Sequence, residues 1–210
     1  MVGDTPEHWG ERVVHVTLDP SLASLGAHAI DDVRAAFGTW LAGDPGLPRV
    51  VFDVSSGAGA QAHDGVSRIL ATRDVAPGHE KDVAYTVSWA SMETGLIEES
   101  DIVFNLAYAY ADVTNGCAGA WDIGSVATHE VGHFFGLDED MTEKTTTMWY
   151  RTESCDAHKR TLTTSDVGAI QSIYEPVLRA KCSYSPGPTS GSGVLWISIV
   201  ALYICRRKRS

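Results

Sequence analysis

One pentapeptide contains three side chains that could bind a metal ion and transfer a proton. His129 and His133 are four residues apart, so on a helix both imidazoles lie on one face and can donate nitrogens to one zinc ion. Glu130 lies beside the first histidine, where a carboxylate can take a proton from a metal-activated water and pass it to a leaving amine. The spacing predicts a hydrolytic zinc site, although two ordinary histidines on a solvated helix face would give the same pattern.

A catalytic zinc ion needs a third protein ligand and an open position for water. Gly136 follows the predicted end of the helix, where a residue with left-handed backbone lets the chain turn back sharply. Glu139 then lies ten residues after His129, and its register makes it the predicted third ligand. The neighbouring Asp138 is the alternative ligand.

Hydrophobic periodicity predicts the elements that must position this site. Alternating β-branched segments predict strands, and apolar residues at helical spacing predict helices: strands at Val13–Leu18, Arg49–Val54, Val83–Ala90 and Asp101–Leu106, and helices at Ala27–Leu41, Ser125–Phe135 and Thr163–Tyr174. Thr163 is the predicted N-cap of the last helix, because Asp166 follows three residues later. Strands and one helix therefore precede the histidine motif, and one helix follows it.

The segment HEVGHFFGLDE and the downstream Met148 resemble the zinc-binding and methionine-turn pattern of metzincin metallopeptidases, most closely the matrixins. The resemblance covers roughly Val13–Tyr174. It implies an α+β fold: a twisted, mostly parallel sheet with an edge strand, two long helices, and an active-site helix followed by a methionine turn and a C-terminal helix. It also implies that Met148 underlies the metal and that Gly95–Asn105 forms the edge-strand region bordering the substrate cleft. The implied activity is that of a zinc endopeptidase acting on peptide or protein substrates, with Glu130 as the general base.

Two residues depart from the matrixin pattern. The family's usual third ligand is His or Asp, whereas this chain has Glu139, so a catalytically impaired surface binding module is the alternative function. Tyr150 lies two residues after the methionine and resembles a tyrosine of the astacin and serralysin branches. That resemblance implies a hydrogen bond to the developing oxyanion, and a packing tyrosine is the alternative.

The sequence also offers candidates for further metal sites and for a disulfide. Matrixins often carry a second, structural zinc ion and calcium ions, and three candidate ligands lie in the corresponding long loop: His63, Asp64 and His79. Their spacing is not diagnostic. Cys117 and Cys155 flank the histidine motif and would form a disulfide in an exported domain or two buried thiols otherwise.

The composition changes near residue 181. We predict a catalytic domain at residues 1–180, a flexible linker at 181–193 and, at 194–210, an apolar segment with a basic end that serves as a sorting signal or membrane anchor. This tail resembles the myxobacterial sorting tails that myxosortases process, with Cys182 as the processing or anchoring residue; an ordinary surface thiol is the alternative. Together with the matrixin-like domain, it resembles the myxosortase-dependent metalloprotease family. A sorting protease is therefore an expected partner.

Charge and topology predict the compartment. The formal net charge of −11 disfavours nucleic acids as partners, because an acidic body repels phosphates. The cations at Arg206–Arg209 would remain in the cytoplasm and place the catalytic domain outside the cell. Residues 1–20 contain no apolar signal-peptide region, so we expect an export signal further upstream. An intracellular metal-binding protein with a tail anchor is a further alternative.

Overall fold

The computed structural model describes residues 5–55 and 57–182, without the side chains of residues 115 and 175–182. The chain divides into two units at Tyr174, and the elements that build the site belong to the first unit. Residues 183–210, which hold most of the predicted linker and the whole apolar tail, lie outside the described residues, as does the side chain of Cys182. None of the helices that the structure describes is long and apolar enough to cross a membrane.

A six-stranded, mostly parallel sheet forms the scaffold. Its strands are β1 (His8–Trp9), β2 (Val13–Leu18), β3 (Arg49–Val54), β4 (Arg68–Thr72), β5 (Ala84–Ala90) and β6 (Leu96–Asn105). The order is β1-β6-β4-β2-β3, and β5 pairs with β6 in the antiparallel direction. Most of β6 is buried, as is typical of an interior strand with both faces covered. The expected α+β architecture with an edge strand is confirmed.

The identity of the edge strand is a correction to the sequence analysis. Gly95–Asn105 was expected to border the substrate cleft, but β6 lies inside the sheet between β4 and β5. The edge strand is β5, which follows a long loop and runs antiparallel to β6. Sheet order depends on pairings between residues far apart in sequence, so alternation within one strand predicts a strand but not its neighbours.

Two helices pack together beside the sheet. Helix α1 (Ala29–Gly43) contacts helix α2 (Ile123–Phe134) through aromatic residues. The ring of Phe37 meets that of Phe134 edge-on, with centroids 5.1 Å apart. Trp40 donates a hydrogen bond from its indole nitrogen to the Thr128 carbonyl at 2.7 Å. Almost every residue of α2 is buried, so the helix that contains the histidine motif lies in the core.

The last helix closes the unit. Helix α3 (Thr164–Cys182) begins as predicted: the Thr163 hydroxyl accepts a hydrogen bond from the Asp166 amide at 3.2 Å, and the Asp166 carboxylate accepts one from the Thr163 amide at 2.8 Å. It extends beyond the predicted end at Tyr174, through Pro176. The Tyr174 hydroxyl donates to the Phe135 carbonyl at 3.0 Å, which connects α3 to the end of α2.

Candidate active site

The active-site helix is anchored at its first turn. Asp122 caps α2 by accepting a hydrogen bond from the Ser125 amide at 2.8 Å. Arg160 donates to both oxygens of that carboxylate, at 2.6 and 2.7 Å. Burial alone would raise the pKa of Asp122, but the hydrogen bonds from Arg160 and backbone amides lower it. An ion pair between the buried Asp122 and the partly exposed Arg160 therefore fixes the start of α2 to the segment after the methionine turn.

The two histidines present the same ring nitrogen to one point. His129 Nδ1 lies 2.8 Å from the Thr147 carbonyl oxygen, and His133 Nδ1 lies 2.7 Å from the Leu137 carbonyl oxygen. Each carbonyl accepts a hydrogen bond from Nδ1–H, which leaves the lone pair of Nε2 available for a metal ion.

The turn after α2 brings Glu139 to the same point. Gly136 has φ +94°, and a Cβ at this position would overlap the carbonyl oxygen of Glu7. Glu139 Oε1 lies 3.5 Å from His129 Nε2 and 3.6 Å from His133 Nε2. A close turn that only glycine fits therefore positions the carboxylate that the register predicts.

These three residues fit zinc. Tetrahedral ligands at 2.0–2.1 Å from the metal are roughly 3.3 Å from one another, close to the distances between Glu139 and the histidines. Two neutral imidazoles and one carboxylate are a normal donor set for a catalytic zinc ion. Among the described residues no other group of three or more candidate ligands converges in this way, and Asp138 lies outside the cluster.

The electrostatics of the cluster suit a cation. Burial would raise the pKa of Glu139, but the two adjacent histidine rings hold it far below its usual value, so the side chain is a carboxylate. Burial would lower the pKa of His133, yet the carboxylates of Glu139 and Glu130 raise it. A bound cation would replace the proton that these charges favour on the histidine.

Met148 lies beneath the helix, as the matrixin resemblance implied. It is 3% exposed, and a Cβ added to Gly132 would overlap its sulfur atom. Asp166 holds the turn in place, since its carboxylate accepts hydrogen bonds from the Thr147 amide at 3.0 Å and the Met148 amide at 3.2 Å. The sequence predicted Asp166 as a capping residue only, because its contacts with the turn bridge 18 and 19 residues.

Sequence reasoning missed two residues beside the motif. Thr86 on β5 lies 2.7 Å through Oγ1 from Glu130 Oε2 and 3.1 Å from the Glu130 carbonyl oxygen. Lys159 is 1% exposed; its ammonium nitrogen donates to the Trp149 carbonyl and lies 3.2 Å from His129 Nδ1. Burial lowers the pKa of Lys159 to about 8, although surrounding carboxylates oppose the shift. No local spacing in the sequence marks either residue.

A cleft of about 940 Å³ lies in front of the cluster. Its walls are β5, the side of α2 that carries the histidine motif, and the segment Tyr150–Glu153. Tyr150 is 36% exposed in this cleft, and the Arg151 guanidinium lies 5.0 Å from the centre of its ring. The structure thus places Tyr150 on the wall of the cleft that Glu130 also lines.

The other predicted residues lie around this centre. Cys117 and Cys155 form a disulfide that joins the loop before α2 to the end of the cleft wall. His63 stacks on Trp89, and His79 stacks on Tyr85. The structure therefore does not bring His63 and Asp64 together with His79 as a second metal cluster within the described residues.

Comparison with known proteins agrees with this geometry. A model of the family described as Matrixin matches residues 49–175, more than half of the chain, and its range includes the histidine cluster and Met148. A search of curated proteins found no match. With the motif, the methionine turn and this match, the chain belongs to the matrixin family of zinc metallopeptidases.

Proposed function

We propose that the protein is an exported zinc endopeptidase in which Glu130 is the general base. The observation that carries the proposal is the convergence of His129, His133 and Glu139 on one point, with the Glu130 carboxylate beside it in an open cleft. Membership of the matrixin family supports the same chemistry.

The cleft has the shape of a site for an extended peptide. Among the described strands β5 pairs with β6 alone, and its other edge borders the cleft. An edge strand offers a row of backbone donors and acceptors that a substrate chain can pair with as an additional strand. Binding in this mode is independent of particular side chains and holds the scissile bond at a fixed height above α2.

Zinc, held by the two histidines and Glu139, would polarise the scissile carbonyl and lower the pKa of water. Glu130 takes one proton from the attacking water as the new C–O bond forms. It then gives that proton to the amide nitrogen as the C–N bond breaks, so the carboxylate is regenerated. Tyr150 is the proposed hydrogen-bond donor to the oxyanion, since its ring lies in the cleft.

Two features support an extracellular location. The Cys117–Cys155 disulfide is typical of oxidising compartments. The sequence of residues 181–210 combines a cysteine, a linker, an apolar segment and terminal cations, the arrangement expected for surface sorting. We therefore propose that a sorting protease processes the tail and that Cys182 is the processed or anchoring residue.

The decisive experiment measures cleavage of an unbiased quenched-fluorescent peptide library by purified protein. A chelator should abolish cleavage, and one equivalent of zinc should restore it. Glu130→Gln should lower kcat by about 100-fold or more with zinc retained, because only the base is lost. Glu98→Gln, an exposed glutamate outside the cleft, is the matched control. Tight zinc binding with no cleavage of any peptide would instead favour the binding module.

A further inference from the structure

We propose that Thr86 is a positioning residue for the general base. The inference rests on the proposed peptidase function and adds a residue to it. Thr86 Oγ1 lies 2.7 Å from Glu130 Oε2, and this contact joins the cleft-bordering strand to the active-site helix across 44 residues.

The contact is a charge-assisted hydrogen bond. Thr86 has one hydroxyl proton and two acceptors within reach, the Glu130 carboxylate at 2.7 Å and the Glu130 carbonyl at 3.1 Å. The shorter distance and the negative charge direct the proton to the carboxylate. Since Glu130 is 5% exposed, little water competes for that oxygen. The Thr86 hydroxyl therefore occupies Oε2 of Glu130. This leaves Oε1 as the oxygen that accepts the proton from the attacking water.

The side chain of Thr86 is itself held in place. Threonine branches at Cβ, so its χ1 angle has few alternatives. Its strand is paired along its length with β6, where Thr86 faces Ile102 in the register. A rigid strand thus fixes a stiff side chain, which fixes one oxygen of the base.

This arrangement links substrate binding to the base. The edge of β5 that borders the cleft is the surface on which an extended peptide would pair, and the same strand carries the hydroxyl that orients Glu130. The strand that would pair with the peptide is therefore also the strand that orients Glu130, so it fixes the position of the peptide relative to the base. Thr86 acts through Glu130 and contacts no reacting atom.

The experiment compares Thr86→Val, which keeps the shape and removes the hydroxyl, with Thr86→Ser, which keeps the hydroxyl. We expect Thr86→Val to lower kcat about tenfold or more with KM and zinc affinity unchanged, and Thr86→Ser to recover kcat to within about twofold of wild type. Thr39→Val, at a half-buried threonine on α1 whose hydroxyl donates to the Ala35 carbonyl, is the matched control. Wild-type kcat in Thr86→Val would overturn the proposal, as would a loss of zinc binding that Thr86→Ser fails to restore.

A second measurement separates this proposal from the peptidase function. Unfolding of the metal-free wild type, Thr86→Val, Glu130→Ala and the double variant forms a double-mutant cycle, in which alanine removes the carboxylate that accepts the hydrogen bond. Coupling between the two positions is expected even if the wild type cleaves no peptide. Additive effects would overturn the positioning contact, whereas a complete absence of cleavage with coupling present would overturn only the peptidase proposal.

Discussion

The metal-binding segment and the shell that supports it differ in how far their parts are separated along the chain. The ligands His129, His133 and Glu139 lie within eleven residues, and a helix and one glycine turn bring them together. The shell is assembled from distant segments: Thr86 lies 44 residues before the base, and Lys159 lies 30 residues after the first ligand. One region is built by local geometry and the other by the fold.

Because the two regions are built differently, we expect substitutions in the segment and in the shell to have different effects. A change in the segment removes a metal ligand and the contacts of that one side chain, and it leaves the hydrogen bonds between the supporting elements intact. A change in the shell leaves every ligand present but releases the elements that hold them, so we expect its first effect on stability. Measurements of unfolding and of zinc affinity on the same variants can distinguish the two.

The largest effect is expected at Asp166, in the shell. Asp166→Ala removes the acceptor for the amides of Thr147, Met148 and Thr163. The first two of these residues are buried, and the third is partly buried. Unsatisfied buried donors together with a lost cap should lower the free energy of unfolding by about 4 kcal/mol. Denaturant unfolding measures this loss, and Ser165→Ala is the neighbouring control. A loss below about 1 kcal/mol would show that the methionine turn does not depend on this carboxylate.

The disulfide is the second test of the shell. Replacing Cys117 and Cys155 by alanine opens a loop of 38 residues and should lower the free energy of unfolding by about 3–4 kcal/mol. Zinc stoichiometry should remain at about one per chain, because neither cysteine contacts the ligands. Loss of zinc with unchanged stability would contradict the division between segment and shell.

The third test is directed at the segment and at the choice between two acidic neighbours. Glu139→Gln should weaken zinc binding by about 100-fold, or about 2.7 kcal/mol, because it replaces a carboxylate by a neutral amide. Asp138→Asn should change the affinity by less than about threefold, since Asp138 lies outside the ligand cluster. Competition with a chromophoric chelator measures both variants. The reverse ranking would identify Asp138 as the ligand.

These regions also differ in how far the sequence could predict them. The ligand spacing follows from the helical period, and the turn follows from Gly136, so both could be predicted from neighbouring residues. The cap between Thr163 and Asp166 is local and was predicted too. The sheet order was not: β4 went unrecognised, and β6 was mistaken for the edge strand, because pairing is decided between distant segments. The contacts of Thr86 depend on that pairing and left no pattern to find.

The smallest expected effect is a dependence of stability on pH, caused by Lys159. Burial lowers the pKa of this lysine to about 8 in the folded protein, whereas an unfolded lysine titrates near 10.4. Between these values the unfolded chain binds more protons, so the free energy of unfolding should rise with pH above about 8. We expect an increase of about 1–2 kcal/mol between pH 8 and 9.5 in the metal-free protein.

Lys159→Met should abolish that increase, because methionine fills similar space and has no charge to bury. Lys144→Met, at an exposed position, should keep it. Denaturant unfolding at several pH values measures the slope. If the free energy of unfolding still rises with pH in Lys159→Met, another group titrates in this range. The buried ammonium group of Lys159 would then have no influence on the segment that it contacts. A slope lost only in Lys159→Met would show that the fold places a charge against His129 at a cost in stability, which a purely local account of the site would not predict.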